Sequence, residues 1–299
     1  MKAVIKYLLL VIGALLALVL VAGLVLNVLA QSRLNRRYEI AVAPIAIPEG
    51  ESARTRGEHL VQAVSACTGC HGPDLGGQAF IDEPIVGQIY APNLTSGEGG
   101  KASQFSSEDW VRVLRHGVDQ SGRPLLFMPS QHFRHYGDDD LGAIVAYIQS
   151  APPVDGESPP RRLSPTGRIL FALGAFEELP ADMIGHADAP PAPPPEGVSP
   201  EYGAFLVTVA ACKDCHGENL AGGQVGPDDP FASNLTPGGE LVGWTEEDFF
   251  TLMRTGTHPS GRTIDPTMPW QSFRNMTDTE LQAIWAYLQG LPDLPTNAE

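Results

Sequence analysis

Cys67-Thr-Gly-Cys-His71 and Cys212-Lys-Asp-Cys-His216 constrain this chain more than any other feature. They use all four cysteines and set a histidine directly after each pair. C-x-x-C-H is the attachment signature of c-type haem, in which the two thiols become thioethers and the histidine supplies an axial ligand to iron. The motifs start 145 residues apart and leave no cysteine over. A thioredoxin-like C-x-x-C wants a βαβ setting, and neither motif is bracketed by strand patterns. A structural zinc site needs four ligands and would have to borrow across both motifs. Two disulfides would leave the repeated histidine without a reason. The motifs therefore predict two covalently bound haem c groups, held by Cys67 and Cys70 and by Cys212 and Cys215.

The surroundings of the motifs repeat as well, and internal similarity is the first clue to domain count. Gly57-Glu-His-Leu-Val61 corresponds to Gly203-Ala-Phe-Leu-Val207, and Leu75-Gly-Gly-Gln78 to Ala221-Gly-Gly-Gln224. Asn93-Leu-Thr95 pairs with Asn234-Leu-Thr236, and Phe105-Ser-Ser-Glu-Asp109 with Trp244-Thr-Glu-Glu-Asp248. Ser121-Gly-Arg123 pairs with Ser260-Gly-Arg262, and the segment from Leu141 to Tyr147 with that from Leu281 to Tyr287. The chain thus reads as two copies of a domain of roughly 100 residues, a usual domain size.

A c-type haem of this kind takes a second axial group, commonly methionine. Met128 follows His71 by 57 residues, and Met268 follows His216 by 52; each precedes a proline and comes after a Ser-Gly-Arg segment. Met253 falls in a helical pattern, where methionine is usually core filler, and Met276 falls just before a helix start. His116, His132, His135 and His258 are other possible ligands, but none recurs between the repeats. The expected iron ligands are His71 and Met128 in the first domain, and His216 and Met268 in the second.

On these residues the chain resembles class I c-type cytochromes in tandem, and within them the membrane-anchored cytochrome c subunits that serve periplasmic dehydrogenases. The resemblance covers about residues 54–151 and 201–291. Many subunits of that kind carry three haem domains, whereas this chain has two. The resemblance implies an all-α fold, with the last helix of each domain crossing the first at Gly57 or Gly203 and Tyr147 or Tyr287 packing nearby. It also implies a proline carbonyl accepting a hydrogen bond from each ligand histidine, with Pro84 and Pro227 as the nearest candidates. The Asn-Leu-Thr triplets match a glycosylation acceptor, but their repetition at one position points to a turn or a haem-propionate contact.

Leu8 to Leu26 is a run of 19 residues without a strongly polar side chain. As a helix it spans about 28 Å, close to the hydrocarbon core of a bilayer. Lys2 and Lys6 precede it and Arg33, Arg36 and Arg37 follow, so the charge rule is nearly silent on orientation. Extracytoplasmic haem attachment, implied by the resemblance, sets the N-terminus inside and the haem domains outside. A cleaved signal ending at Val28-Leu29-Ala30 is the rival, but the apolar run exceeds the usual signal length. Beyond residue 30, 35 acidic residues face 17 basic ones, the chain's 19 less Lys2 and Lys6. Nucleic acid is therefore excluded as a partner, and a basic-faced redox protein suits the charge.

The expected order is an anchor over 1–30, a tether over 31–53, and cytochrome c domains over 54–151 and 201–299 joined by a Pro-rich linker, 152–200. Within the linker, Ala189-Pro-Pro-Ala-Pro-Pro-Pro195 should be extended. Arg168 to Phe176 is apolar but too short to span, and should pack between the domains or against a partner, with the bilayer surface as a lesser option. Ser106, Thr245 and Thr277 read as helix caps. The resulting expectation is an electron carrier, not a catalyst. It would relay electrons at the outer face of the cytoplasmic membrane between a dehydrogenase or other donor and a downstream acceptor such as an oxidase. A di-haem peroxidase, which needs an open iron position, and a docking subunit of a larger redox complex are the alternatives.

Overall fold

The structure is a computed structural model that describes residues 1–176, 179–224, 226 and 229–297. Its first element, α1 (Lys2–Leu34), is 33 residues long and reaches a mean hydropathy of 3.1 over its most apolar window, none of which is buried. It is long and apolar enough to cross a membrane. Only Ala30 and Leu34, near its end, are buried against the rest of the protein.

The first domain contains α2 (Glu51–His59), α3 (Cys67–His71), β1 (Gln78–Glu83), β2 (Gly87–Ala91), α4 (Ser107–His116), α5 (Ser130–Phe133) and α6 (Asp138–Ser150). After it come β3 (Arg162–Leu163), α7 (Pro165–Ala172) and α8 (Pro180–Met183). The second domain repeats the scheme as α9 (Pro200–Val209), α10 (Cys212–His216), β4 (Ala221–Gly223), β5 (Ala232–Asn234), α11 (Glu246–Thr255), α12 (Trp270–Phe273) and α13 (Asp278–Gln289). The frame is helical. The short antiparallel pairs β1–β2 and β4–β5 are additions that an all-α expectation leaves out. They form because the chain after each haem motif doubles back on the segment that leads into Asn-Leu-Thr.

In each domain the last helix packs across the first, α6 on α2 and α13 on α9. A Cβ on Gly57 would lie 1.9 Å from the Ala143 carbonyl oxygen and 2.8 Å from Tyr147 Cβ; on Gly203 it would lie 2.0 Å from the Ala283 oxygen and 2.7 Å from Tyr287 Cβ. The expected small-residue crossing is present in both copies. The entry helices differ in one respect. Gly57 precedes Cys67 by ten residues, whereas Gly203 precedes Cys212 by nine. The first copy takes up the extra residue as a π-helical turn over Leu60–Val64, closed by Ser65 N–H donating to the Leu60 carbonyl.

The caps read from sequence are present. Ser106 with Asp109, Thr245 with Asp248, and Thr277 with Glu280 form reciprocal capping boxes, satisfying amide donors that a helix start leaves orphaned. α4 and α11 both end on a left-handed glycine, Gly117 and Gly256.

The stretch between the domains lies back on the first domain. β3 adds to the free edge of β2, and Pro193 packs on Gly137. Arg56 pairs with Asp140 of α6 and with Glu196. The apolar segment read as a bridge between domains or to a partner instead packs on α1: Phe171 of α7 is buried with Ala30 and Leu34. The two domains meet directly. His59 of α2 donates to Glu280 of α13 at 2.9 Å, His132 of α5 donates to Asp214 of α10 at 2.6 Å, and Tyr136 meets Phe205 edge-on.

Candidate haem sites

Each C-x-x-C-H motif forms a single helical turn, α3 or α10, entered through an alanine in the left-handed region: Ala66 with φ 47° and Ala211 with φ 56°. A left-handed non-glycine residue is uncommon, and its recurrence shows that the turn geometry is built in twice. In a helical turn residues three and four apart share a face. Cys67, Cys70 and His71 therefore come to one side, as do Cys212, Cys215 and His216. Gly72 and Gly217, with φ 84° and 80°, let the chain leave sharply.

His71 is buried, and its Nδ1 donates to the Pro92 carbonyl at 2.8 Å; His216 Nδ1 donates to the Ser233 carbonyl at 2.7 Å. Burial lowers the pKa of both rings, against the raising effect of the carbonyl bond, so both are neutral at neutral pH. A neutral ring that spends Nδ1–H on a carbonyl presents its Nε2 lone pair, the form a metal needs. Burial also pushes the Cys67 and Cys212 thiols up to about 12.

The carbonyl acceptors correct the sequence expectation. Pro84 sits in the turn between β1 and β2, and Pro227 lies outside the described residues. Pro92 and Ser233 are instead the residues immediately before Asn93 and Asn234. The repeat carried this signal: the residue preceding each Asn-Leu-Thr triplet occupies the same place, whether or not it is proline.

The triplets themselves are clamps. Asn93 Oδ1 accepts from the Thr95 amide and hydroxyl at 2.9 and 2.8 Å, while its Nδ2 donates to the carbonyls of Val154 and Gly156. Asn234 Oδ1 accepts from both Thr236 donors, and its Nδ2 donates to the Leu294 carbonyl at 2.9 Å. All four side chains are buried. The turn alternative is the one realised, and a buried, fully engaged amide is no glycan acceptor.

Met128 and Met268 share a local fold. The following Pro129 and Pro269 both have φ −79°, with ψ 55° and 49°, and each leads into a four-residue helix. Both methionines are half-buried and pack against the core, as Cys67 and Cys212 also do, whereas Met253 and Met276 are sealed inside it. The rival histidines are engaged elsewhere. His116 Nδ1 faces His186 Nδ1 at 3.1 Å, His132 holds Asp214, His135 Nδ1 donates to the His132 carbonyl, and His258 Nε2 donates to Glu240 at 2.6 Å.

Two indole N–H groups, Trp110 Nε1 in α4 and Trp270 Nε1 two residues after Met268, are buried without an acceptor among the described residues. Buried donors seldom stay unpaired. Together with two open Nε2 atoms, two half-buried thioethers and paired thiols, they fit a prosthetic group that brings iron and acidic acceptors of its own.

Comparison with known proteins agrees. The family described as cytochrome c oxidase, cbb3-type, subunit III matches residues 52–148, and the cytochrome c family matches residues 200–292. The chain is 27% identical over 263 residues to the fructose dehydrogenase cytochrome subunit of Gluconobacter japonicus, covering 80% of this chain and 52% of that protein. It is 26% identical over 282 residues to the cytochrome c subunit of the quinone alcohol dehydrogenase of Gluconacetobacter polyoxogenes, covering 83% of this chain and 58% of that one. The chain thus spans little more than half the length of these two relatives. A diheme c-type cytochrome of Cereibacter sphaeroides is 24% identical over 303 residues, covering 93% of this chain and 96% of that protein. The chain carries two cytochrome c domains in tandem and two covalently attached haem c groups.

Proposed function

We propose that this protein is a membrane-anchored electron relay. In this reading Cys67 and Cys70 attach one haem, with His71 and Met128 as its iron ligands; Cys212 and Cys215 attach the other, with His216 and Met268. The division into anchor 1–30, tether 31–53, haem domains 54–151 and 201–299 and linker 152–200 belongs to the same proposal. The supporting observation is that both copies build one geometry: a neutral histidine fixed through Nδ1 on a buried face, and a half-buried Met-Pro corner at the edge of the same core.

Bound haem c supplies a one-electron couple, and thioether ligation with low exposure favours its reduced form. The residues of this chain do the rest. The Pro92 and Ser233 carbonyls hold each ring in one tautomer and orientation. The buried apolar shell keeps water away. The His132–Asp214 bond ties the chain just beyond Met128 to the attachment motif of the other domain, so the two sites keep a fixed relation. Methionines at both corners disfavour a peroxidase, which needs an open iron.

With α1 as a single-pass anchor, the haem domains would lie on the periplasmic side of the cytoplasmic membrane. The donor or acceptor would be a dehydrogenase or another membrane redox complex, as the relatives' subunit names suggest, with a basic face for this acidic surface. An anaerobic redox titration followed by visible and EPR spectra tests the reading. Two low-spin haems at positive potential, with the ferric methionine-ligand charge-transfer band, are expected. A high-spin or strongly negative haem would overturn the assignment of that domain's methionine.

A further inference from the structure

α7 and α1 touch at a telling depth. The Leu8–Leu26 run is the part of α1 suited to a bilayer core, and Gly23 lies in its last turn. A Cβ at Gly23 would sit 3.7 Å from Ile169 Cδ1 of α7. One residue beyond the run, Asn27 donates to the Pro165 carbonyl at 3.1 Å and accepts from Arg168 Nε at 3.0 Å. α7 is therefore fastened to α1 at Asn27, the first polar residue after the Leu8–Leu26 run. If α1 spans, α7 has nowhere to lie but at the bilayer boundary.

Its side chains suit that place. Gly167 packs against the Val86 carbonyl and Phe171 is buried in the cluster that holds Ala30, Leu34 and Ile89, which turns that side of α7 toward the β1–β2 hairpin and the end of α1. Ile169, Leu170 and Leu173 are partly or largely exposed; Ile169 and Leu173 are one turn apart and share a face. Outside α1, the large apolar side chains most exposed among the described residues are Phe80, Ile85, Leu173, Met183, Val198 and Val242. Leu173, at 64% exposure, directly follows α7, and Ile85, at 66%, tips the hairpin whose carbonyl the α7 cap Ser164 engages. Phe80 continues the patch through Phe127 and Phe176 to Phe171, which itself faces Arg33.

The charge pattern agrees. This chain is strongly acidic, yet Arg33 lies seven residues past Leu26, about 10 Å beyond the run by helix rise, and Arg36 follows where α1 has ended at Leu34. Their side chains are 47% and 64% exposed although both reach Asp182. That is the height of phosphate headgroups, and basic residues there suit anionic lipid.

We infer that α7, with Leu173 and the β1–β2 hairpin tip at Ile85, is an in-plane membrane-binding surface that seats the first haem domain directly on the lipid interface. The inference rests on α1 being an anchor. It makes α1 and α7 a two-point attachment, with the domain held against the bilayer and not hung from a free tether.

The test uses full-length holoprotein in vesicles of phosphatidylcholine and phosphatidylglycerol. A fraction of the lipid carries a carbene precursor near the glycerol end of one acyl chain, and adducts are mapped by mass spectrometry after photolysis. Adducts are expected on α1, on the peptide holding Ile169 to Leu173 and on that holding Ile85, with none on the exposed Val242 of the second domain. The double variant Leu173→Glu, Ile85→Glu, with an unchanged haem spectrum, should lose the latter two and keep those on α1. Adducts on α1 alone would overturn the proposal while leaving the anchor standing. Absence of adducts from α1 would overturn both. Peptides holding Leu173 and Ile85 free of adducts, in a holoprotein that gives a dimer mass by native mass spectrometry, would assign the surface to a second copy and overturn it too.

Discussion

Met128 and Met268 differ from the sealed Met253 and Met276 in one respect that matters: they are only partly buried and pack against the core from outside it. Replacing Met128 with Ala should open one haem to carbon monoxide, and Met268→Ala the other, each giving about half the difference spectrum of the double variant. A wild-type spectrum unchanged by carbon monoxide in both variants would remove these methionines as ligands. Gly57 and Gly203 make a second, independent residue-scale prediction. A methyl group there would run into a helix carbonyl, so either Gly→Ala change should cost about 3 kcal/mol, read from the denaturant midpoint of the holoprotein. These glycines, the two C-x-x-C-H turns and the paired Met-Pro segments were legible in sequence because each is local and occurs twice. The histidine's acceptor was not. Pro84 is nearer in the chain, but a hydrogen-bond partner is selected by how the loop closes, and the loop closes at Pro92.

Among the elements, the entry helices α2 and α9 show how the fold absorbs a length difference. The π turn over Leu60–Val64 holds one residue more than its counterpart, so the faces on either side stay in register. Deleting Gln62 should therefore convert the turn to ordinary helix at a cost near 1 kcal/mol, about the value of its lost bond to Tyr147. Deleting Thr208 from α9, which has no such slack, should prevent haem incorporation; equal haem yield from the two deletions would refute the register argument. The Asn-Leu-Thr clamps should be costly to break: Asn234→Ala strips the buried Thr236 amide of its acceptor and should lower stability by about 3 kcal/mol, measurable by thermal melting. Helix starts and the long apolar helix α1 were readable from caps and hydropathy. The placement of residues 159–196 was not, because β3, α7 and Glu196 find partners more than 70 residues away, on surfaces that exist only once the first domain and α1 have formed.

At the scale of the molecule, the domains are joined by contacts as well as by chain. Glu280 is buried at the seam. Burial works to raise its pKa, but the His59 bond and charge and the Thr277 donors outweigh this and hold it below the usual glutamate range. A carboxylate with a depressed folded-state pKa contributes stability that is fully present above its unfolded pKa, about 4.3, and is lost as pH falls through the folded value. Small-angle scattering of the holoprotein should thus show the two domains separating as pH falls below the usual glutamate range, while Glu280→Gln should be looser at pH 7 and lack that acid step. The same step in both proteins would show that another group governs the seam. The clamps carry one more implication. Asn93 grips Val154 and Asn234 grips Leu294, at intervals of 61 and 60 residues, each time in the tail that follows the last helix. A haem domain cut off at the end of its last helix would therefore leave a buried asparagine amide without the carbonyl it holds, and the working boundary of each unit lies beyond Gly156 in the first copy and beyond Leu294 in the second.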